Sequence, residues 1–588
     1  MRWVGLAIGA IFGATLQPVS AQVTTDVLWQ RCLGGSDYDI GFRVCETNDG
    51  GFVCMGYGVS TDMDFAASHG SEDILVTKLN GNGAVQWSRV LGGSSEDRAI
   101  DLQEASDGSI MVVGNTYSND GDLTSNHGQS DIWIVRLSAQ GNTIWQRSYG
   151  GSGNEVLGQV LETADGGFLV HSSTESGDGD VVGFHAGNGF DNWLFKINAA
   201  GDMQWSRALG GSGHDGGGQI LQTADGGILV NFSFTGSSDG DVTNHHGEGD
   251  CLLVKLNSTG SVQWSRAIGG SLAESSSDVV EVSNGDIMLI GTTASSDGDI
   301  SLMHGASDVL LARLNSSGAL LWARTYGGSM DDYGLSIVRA PDGGFVLGCI
   351  SASSDGDMEG QHGDLDAWVL KVDGDGAVMW QRSVGGSLSE YTSMTEDADG
   401  GYLVWGASTS ADGDVQGGHG GVDFWLAKLS TNGELRWQRC LGGTGEDTFK
   451  WIIQPTDETY VAFGFTDSND GDVSGNHGGR DMWVVKLKVT EPTVPPECAL
   501  YIPTAFSPNN SGKNDTHCLY GTDCITTLNF GIFDRWGNKV FESTDRNACW
   551  DGLYNGQPLD PAVFVYHLSA TLSNGETVER QGNITLMR

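Results

Sequence analysis

Eight times along the chain, two aspartates lie two residues apart and a histidine follows five residues beyond the second. Asp120 and Asp122, Asp239 and Asp241, Asp297 and Asp299, Asp355 and Asp357, and Asp470 and Asp472 are copies with glycine between the carboxylates. Asp62-Met63-Asp64 lacks that glycine, and the copy ending at His185 carries a longer spacer to its next aspartate, Asp191. Paired carboxylates around a glycine can offer oxygen ligands to calcium. Histidine is a poor calcium ligand, and zinc usually takes more nitrogen or sulfur. The spacing falls short of a full calcium loop. The plainer expectation is that the carboxylates cap backbone amides and the histidines bridge neighbouring repeats. Calcium is the one cofactor these loops suggest.

The elements that must carry the loops are set by a second marker, Trp-x-Arg, with tryptophans at 29, 87, 145, 205, 264, 322, 380 and 437, a period of 57 to 60 residues. In the sample unit 97–150, four stretches of strand-like residues, Arg98–Glu104, Ile110–Asn115, Asp131–Leu137 and Thr143–Tyr149, are separated by turn residues. Four short strands per repeat, repeated radially, are the blade pattern of a β-propeller. The strands are termed A (after Gly-Gly-Ser), B (after the Asp-Gly turn), C (opening on Asp) and D (Trp-x-Arg). A lone D strand, Val27–Leu33, precedes the first complete set, and the last set lacks its own. The phase therefore predicts an all-β, eight-bladed propeller over 22–488 whose last blade is closed by the N-terminal strand, with seven blades as the fallback. The repeats resemble those of other bacterial propellers, which implies no ligand.

Trp87, Trp145 and Trp205 read as packing residues, with carbohydrate stacking as the alternative. Arg89, Arg147 and Arg207 share their faces. An arginine on such a face needs a carboxylate or a ring, so a structural pair of Arg147 with Asp131 is expected across the C–D hairpin. The D–A connections also carry acids, including Asp39, Asp97 and Glu155. They share one end of each sheet with the B–C loops, which predicts a strongly acidic, cation-facing surface there. The alternative is that caps consume these carboxylates.

Acidic residues number 75 against 30 lysines and arginines, a formal charge of −45. That surface repels nucleic acid and suits an exported protein. Residues 1–21 read as a signal peptide, with Arg2, an apolar run from Val4 to Leu16 and small residues at Val19-Ser20-Ala21. No later run approaches the ~20 apolar residues of a membrane helix. Ten cysteines in an exported chain are candidates for oxidation. Cys45 and Cys54 flank a turn and could pair, and Cys498, Cys518, Cys524 and Cys549 allow three connectivities.

Val489-Thr490-Glu491-Pro492-Thr493-Val494-Pro495-Pro496 opens a linker over 489–497. Beyond it, 498–588 lacks the repeat and shows four strand-like stretches, Leu528–Asp534, Lys539–Glu542, Val563–Ser569 and Asn583–Met587. A small immunoglobulin-like β-sandwich is the expectation. Ordered motifs run through the segment: Pro503-Thr504-Ala505-Phe506-Ser507-Pro508, Asn514-Asp515, Asp534-Arg535-Trp536-Gly537, Trp550-Asp551-Gly552 and Val563-Phe564-Val565-Tyr566. With these the segment resembles the gliding-motility-associated C-terminal domain, the type B sorting domain of type IX secretion. The resemblance implies passage through the periplasm, the type IX machinery as partner, and a surface-bound or released product.

Three function classes follow. A non-catalytic scaffold that binds a glycan or protein, as in adhesion, ranks first, with a monomer expected. A structural surface-layer component ranks second, and a polysaccharide lyase or hydrolase third. An enzyme site would sit at residues that break the repeat, for which His171, His214 and His245 are the candidates.

Overall fold

The computed structural model describes residues 24–65, 68–187, 189–456, 458–490, 501–509, 515–520, 522, 525–572 and 577–587. The signal peptide, most of the linker, Asn514, Cys498 and Cys524 lie outside the described residues. The chain divides into two compact units, Thr25–Val489 and the C-terminal residues from Thr490.

The first unit is built from eight antiparallel sheets, each with strands in the order A-B-C-D. In the sample repeat these are Asp97–Glu104, Ile110–Thr116, Asp131–Leu137 and Thr143–Tyr149. The fourth sheet breaks its A strand into Asp215–Gly216 and Gln219–Gln222, with Gly217 and Gly218 at positive φ between them. The last sheet takes its D strand from the N-terminal segment, Thr24–Leu33, which pairs with Asp481–Thr490. A side-chain bond repeats with that pairing. Trp133 Nε1 donates to Gln146 Oε1 at 2.8 Å within one chain segment, and Trp483 Nε1 donates to Gln30 Oε1 at 2.9 Å across the chain ends.

The core lies between sheets, so a C strand such as Asp131–Leu137 is buried on both faces. Alternate residues point to opposite faces. Trp133 and Val135 pack with Val53, Met55 and Ile74 of the preceding sheet. Ile132 and Ile134 pack with Phe168, Trp193 and Phe195 of the following one. Leu33 and Phe463 pack with Val44 and Phe52, joining the last sheet to the first in the same way.

Two expectations are corrected by register. Arg147 lies opposite Ile134, whereas Asp131 lies one place before the Ile132–Tyr149 pair. Three positions separate them along the strand, which puts their side chains on opposite faces. Arg147 instead pairs with Asp202 of the next sheet at 2.7 Å, and Arg207 donates to the Gly260 carbonyl at 3.4 Å, while Arg89 is exposed. Cys45 and Cys54 are free. Cys45 is opposite Val53 and Cys54 opposite Val44, so the thiols occupy opposite faces and separate cores.

The Trp-x-Arg tryptophans are half-buried, apart from the buried Trp437, because each reaches out of its own sheet. Trp87 Nε1 donates to Ala139 O at 3.0 Å and Trp145 Nε1 to Ala199 O at 3.1 Å, both in the C–D turn of the next sheet. The indole lies against a turn glycine there. A Cβ on Gly141 would meet Trp87 at 2.7 Å, and one on Gly260 would meet Trp205 at 3.0 Å. These glycines also sit at positive φ, +77° and +79°.

The C-terminal unit holds one five-stranded sheet, in which Ile525–Phe533, Lys539–Ser543, Ala562–Leu572 and Thr577–Leu586 match the four expected strands and Ala505–Phe506 adds a parallel edge. Its buried face packs Phe530, Phe564 and Ile584 against Phe506, Leu519 and Trp550. The second layer of the expected sandwich is reduced to two-residue ladders, one of which carries the Cys518–Cys549 disulfide.

A pair of substitutions isolates the tryptophan clasp. Gly108 has φ of +80° with nothing within 4 Å of its Cβ position, so Gly108→Ala should cost only about 1 kcal/mol of backbone strain. Gly141→Ala adds overpacking against Trp87 and should cost about 2–4 kcal/mol in all. Equal losses in denaturant unfolding would remove the clasp from this account.

Candidate functional site

The B–C loops and D–A connections meet at one end of the sheets. The first aspartate of each pair accepts the backbone N–H of the residue after Gly-Gly in the preceding D–A connection. Asp120 takes Ser94, Asp239 Ser212, Asp297 Ser271, Asp355 Ser329 and Asp470 Thr444, all at 2.7–2.8 Å. The second aspartates face other partners. Asp122 and Asp357 accept the amides of Gly92 and Gly327 at 3.4 Å, and Asp299 and Asp472 pair with Arg266 and Arg439 at 2.9 and 2.7 Å. Asp241 lies 4.0 Å from His185 Nε2.

Each loop histidine holds its own strand-C aspartate, and five of the eight, His185, His246, His304, His362 and His419, also lean toward the next loop. His246 Nδ1 is 2.9 Å from Asp250, and its Nε2 is 3.8 Å from Asp299 of the following repeat. His304 repeats this with Asp308 and Asp357, and His419 with Asp423 and Asp472. The ten aspartates considered as calcium ligands are thus drawn into loop and sheet-to-sheet bonds. Among the described residues no group of three or more His, Cys, Asp or Glu is placed to hold a metal ion.

The D–A acids do not form the expected acidic surface. Asp39, Asp97, Glu155 and the other five are all buried. Each accepts the amide of the second glycine of its own Gly-Gly pair, at 2.7–3.0 Å. The alternative of consumed caps therefore describes these positions.

The repeat-breaking histidines differ in their surroundings. His171 is buried, with Nε2 on Asn192 Oδ1, and burial pushes its pKa down to about 4. His214 packs against Phe190 and Phe234 and accepts the Phe190 amide at 3.2 Å. His245 Nε2 is buried.

A set of exposed residues that sequence reasoning missed lies at the same end. Leu272, Met330 and Leu388, 45–54% exposed, follow Gly-Gly-Ser in three consecutive repeats. Asp37, Ser95, Gly153, Gly213 and Gly445 fill that position elsewhere. The exposed Tyr333 and Tyr391 stand on the A strands of two of these repeats. Aligning the D–A connections, rather than the B–C loops, carries the signal.

In the C-terminal unit the motif residues divide by exposure. Phe506 and Trp550 are core. Pro503 O accepts His517 Nε2 at 2.7 Å, Asp515 accepts the Asn509 amide at 3.0 Å, and Asp551 accepts the Leu553 amide at 3.0 Å. Gly552, at φ +78°, leaves room for Phe506, Pro508 and Leu586, and Gly582 makes room for the Tyr566 ring. Arg535, Trp536 and Gly537 form a hairpin tip. The Arg535 guanidinium lies 4.9 Å from the Trp536 ring centroid, and Trp536 is 76% exposed.

The buried acids meet in pairs. The strand-C acid of one sheet and the strand-A acid of the next converge on the first glycine of the D–A pair. A Cβ on Gly92 would lie 2.0 Å from Asp73 Oδ1 and 2.8 Å from Asp97 Oδ2. Burial, and then the neighbouring Asp481 charge, push Asp39 up to about 6, against hydrogen bonds from Ser60 and the Gly35 amide. Burial and Asp215 do the same to Asp191, against its bonds from His185. Carboxyls raised in this way stabilise the fold most below about pH 4, and their contribution is lost as pH rises through about 6. At the other end of the sheets, lysine bonds lower Asp49, Asp165 and Asp225 to about 2, a contribution present above about pH 4 and lost as pH falls toward 2. The melting temperature should therefore peak near pH 4, a few degrees above its value at pH 8. A maximum at pH 8 would contradict the buried pairs.

Residues 500–586 match the CHU_C Type IX secretion signal domain. The chain is 23% identical over 411 residues to the Regulatory protein FlaEY of Caulobacter vibrioides, covering 64% of this chain and 42% of that protein. It thus spans less than half of that relative's length. Among solved structures, a Europium-containing methanol dehydrogenase aligns with a TM-score of 0.43 at 11% identity, over 79% of this chain and 93% of that one. The Neurospora crassa Pan2 WD40 domain aligns with a TM-score of 0.32 at 8% identity, over 65% and 94%. No helix among the described residues is long and apolar enough to cross a membrane. Residues 500–586 are a type IX secretion signal domain, and the chain that carries them is destined for the cell surface or for release.

Proposed function

We propose that the eight sheets close into an eight-bladed propeller and that the exported chain is a non-catalytic binding scaffold for a glycan or protein ligand, as in adhesion. Closure is supported by the N-terminal strand in the last sheet and by the packing of Leu33 and Phe463 on Val44 and Phe52. The binding reading is carried by the arc of Leu272, Met330, Leu388, Tyr333 and Tyr391. Exposed apolar residues recur at one D–A position in three adjacent repeats, and clustered exposed apolar residues mark an interaction surface. The carboxylates and histidines common to the repeats are engaged in loop bonds and in bridges between repeats.

A screen of immobilised polysaccharides and cell-surface proteins, with product release assayed on every hit, is expected to give binding without depolymerisation. The triple change Leu272→Ser, Met330→Ser and Leu388→Ser should abolish that binding at an unchanged melting temperature. Turnover of a bound polysaccharide would replace the scaffold with an enzyme.

The exposed Arg535-Trp536-Gly537 tip is the part of the signal domain that we read as recognised by the export machinery. Trp536→Ala should leave the domain folded and reduce surface delivery several-fold, measured by protease accessibility on intact cells. Trp550→Ala should cost about 3–5 kcal/mol and unfold the domain. Normal delivery of Trp536→Ala would move recognition elsewhere on the domain.

A further inference from the structure

The A–B hairpins and C–D turns form the opposite end of the sheets. There, at four junctions, the A strand of one repeat ends in an acid or amide that caps the A–B turn of the repeat before it. Glu104 accepts the Asn48 amide at 2.8 Å, Glu162 the Ser106 amide at 2.8 Å, Glu281 the Ala224 amide at 2.7 Å and Gln454 the Ala398 amide at 3.0 Å. The equivalent residue facing the turn at Ser283 is Arg339. A guanidinium has only donors, so it cannot perform this capping. The Ser283 amide has no hydrogen-bond partner among the described residues, and the exposed Arg339 guanidinium makes no ion pair.

The structure opens at this position. A cleft of about 950 Å³ is bordered by Arg339 and the Ser283 turn on one side and by the Thr223–Asp225 turn on the other. A second cleft of about 340 Å³ shares Val282, Ser283 and Arg339. The larger cleft lies at the upper end of the range for small-ligand sites. The half-buried Trp264 lines it, together with Gln222, Asn284 and Ser316. Its other charged side chains are engaged: Lys255 with Asp225 at 2.8 Å, and Glu281 with the Ala224 amide. Arg339 is the remaining cation.

We infer that this cleft binds an oligosaccharide containing uronic acid, whose carboxylate takes the place of the missing glutamate. The carboxylate would receive the Arg339 guanidinium in the two-pronged geometry that arginine favours, together with the Ser283 amide. The Gln222 amide and the Ser316 hydroxyl suit ring hydroxyls, and the Trp264 indole suits a sugar face. A peptide usually seeks an open sheet edge or an apolar groove, and this cleft, made of turns, offers neither. The inference goes beyond the proposed function by placing a second site on the opposite end of the sheets, and it rests on the reading of the chain as a ligand-binding scaffold.

Arg339→Glu restores the residue type of the sister repeats, so it should close the site without harming the fold. Titration calorimetry on the full chain would use an oligogalacturonate, its neutral methyl ester and a poly-glutamate peptide. The expected result is binding of the acidic sugar, weakened at least about tenfold by esterification or by Arg339→Glu, with the melting temperature of the variant preserved. Equal binding of the ester, or of the acid by Arg339→Glu, would overturn this site and leave the scaffold reading standing. Arg339-dependent binding of poly-glutamate alone would overturn the sugar as ligand. No binding of any of the three, together with no hit for the arc, would overturn both readings.

Discussion

A carboxylate buried against a backbone amide is the interaction on which the repeated unit depends. Every D–A connection, the segment that carries the chain from one sheet to the next, is gripped twice. The strand-A acid holds the second glycine from within, and the first loop aspartate holds the following residue from the solvent side. Glycine is required because two acids converge where its side chain would be. A formal charge of −45 therefore has an internal share as well as a surface one. The internal acids are costly to ionise, and their amide bonds offset part of that cost.

The other end of each sheet is joined differently. There the indole of one D strand lies over a turn glycine of the next sheet, and lysines hold the A–B turns through aspartates such as Asp49 and Asp225. One end is stitched by anions on amides, the other by rings on glycine and by cations on carboxylates. Variation between repeats is tolerated where neither stitch is involved, which is where the exposed arc lies. Arg339 is different, because it replaces a stitch with its opposite charge.

Much of the fold was legible in the spacing. Strand boundaries in the sample repeat, the lone D strand and the four main strands of the C-terminal unit follow from alternation and turn residues. The errors share a cause, since each turned on which way a side chain points. Arg147 and Asp131 were matched by proximity in the hairpin, although a three-residue offset places them on opposite faces. Cys45 and Cys54 failed by the same parity. Carboxylates that cap an amide and carboxylates that face solvent are the same letter in a sequence, so the burial of Asp97 was not readable. Arg339 was readable in principle, as a reversal of charge at the aligned end of strand A.

The pairing of Thr24–Leu33 with Asp481–Thr490 has a consequence for the order of events during biogenesis. The first strand to emerge finds its partner only when the last repeat has been made. Contacts of such wide separation in sequence form late and slowly. The segment that completes the sheet ends at Thr490, shortly before the signal domain at 500–586. Completion of the fold and presentation of the export signal are thus neighbouring events in time. A chain truncated anywhere upstream has neither a finished final sheet nor the type IX signal.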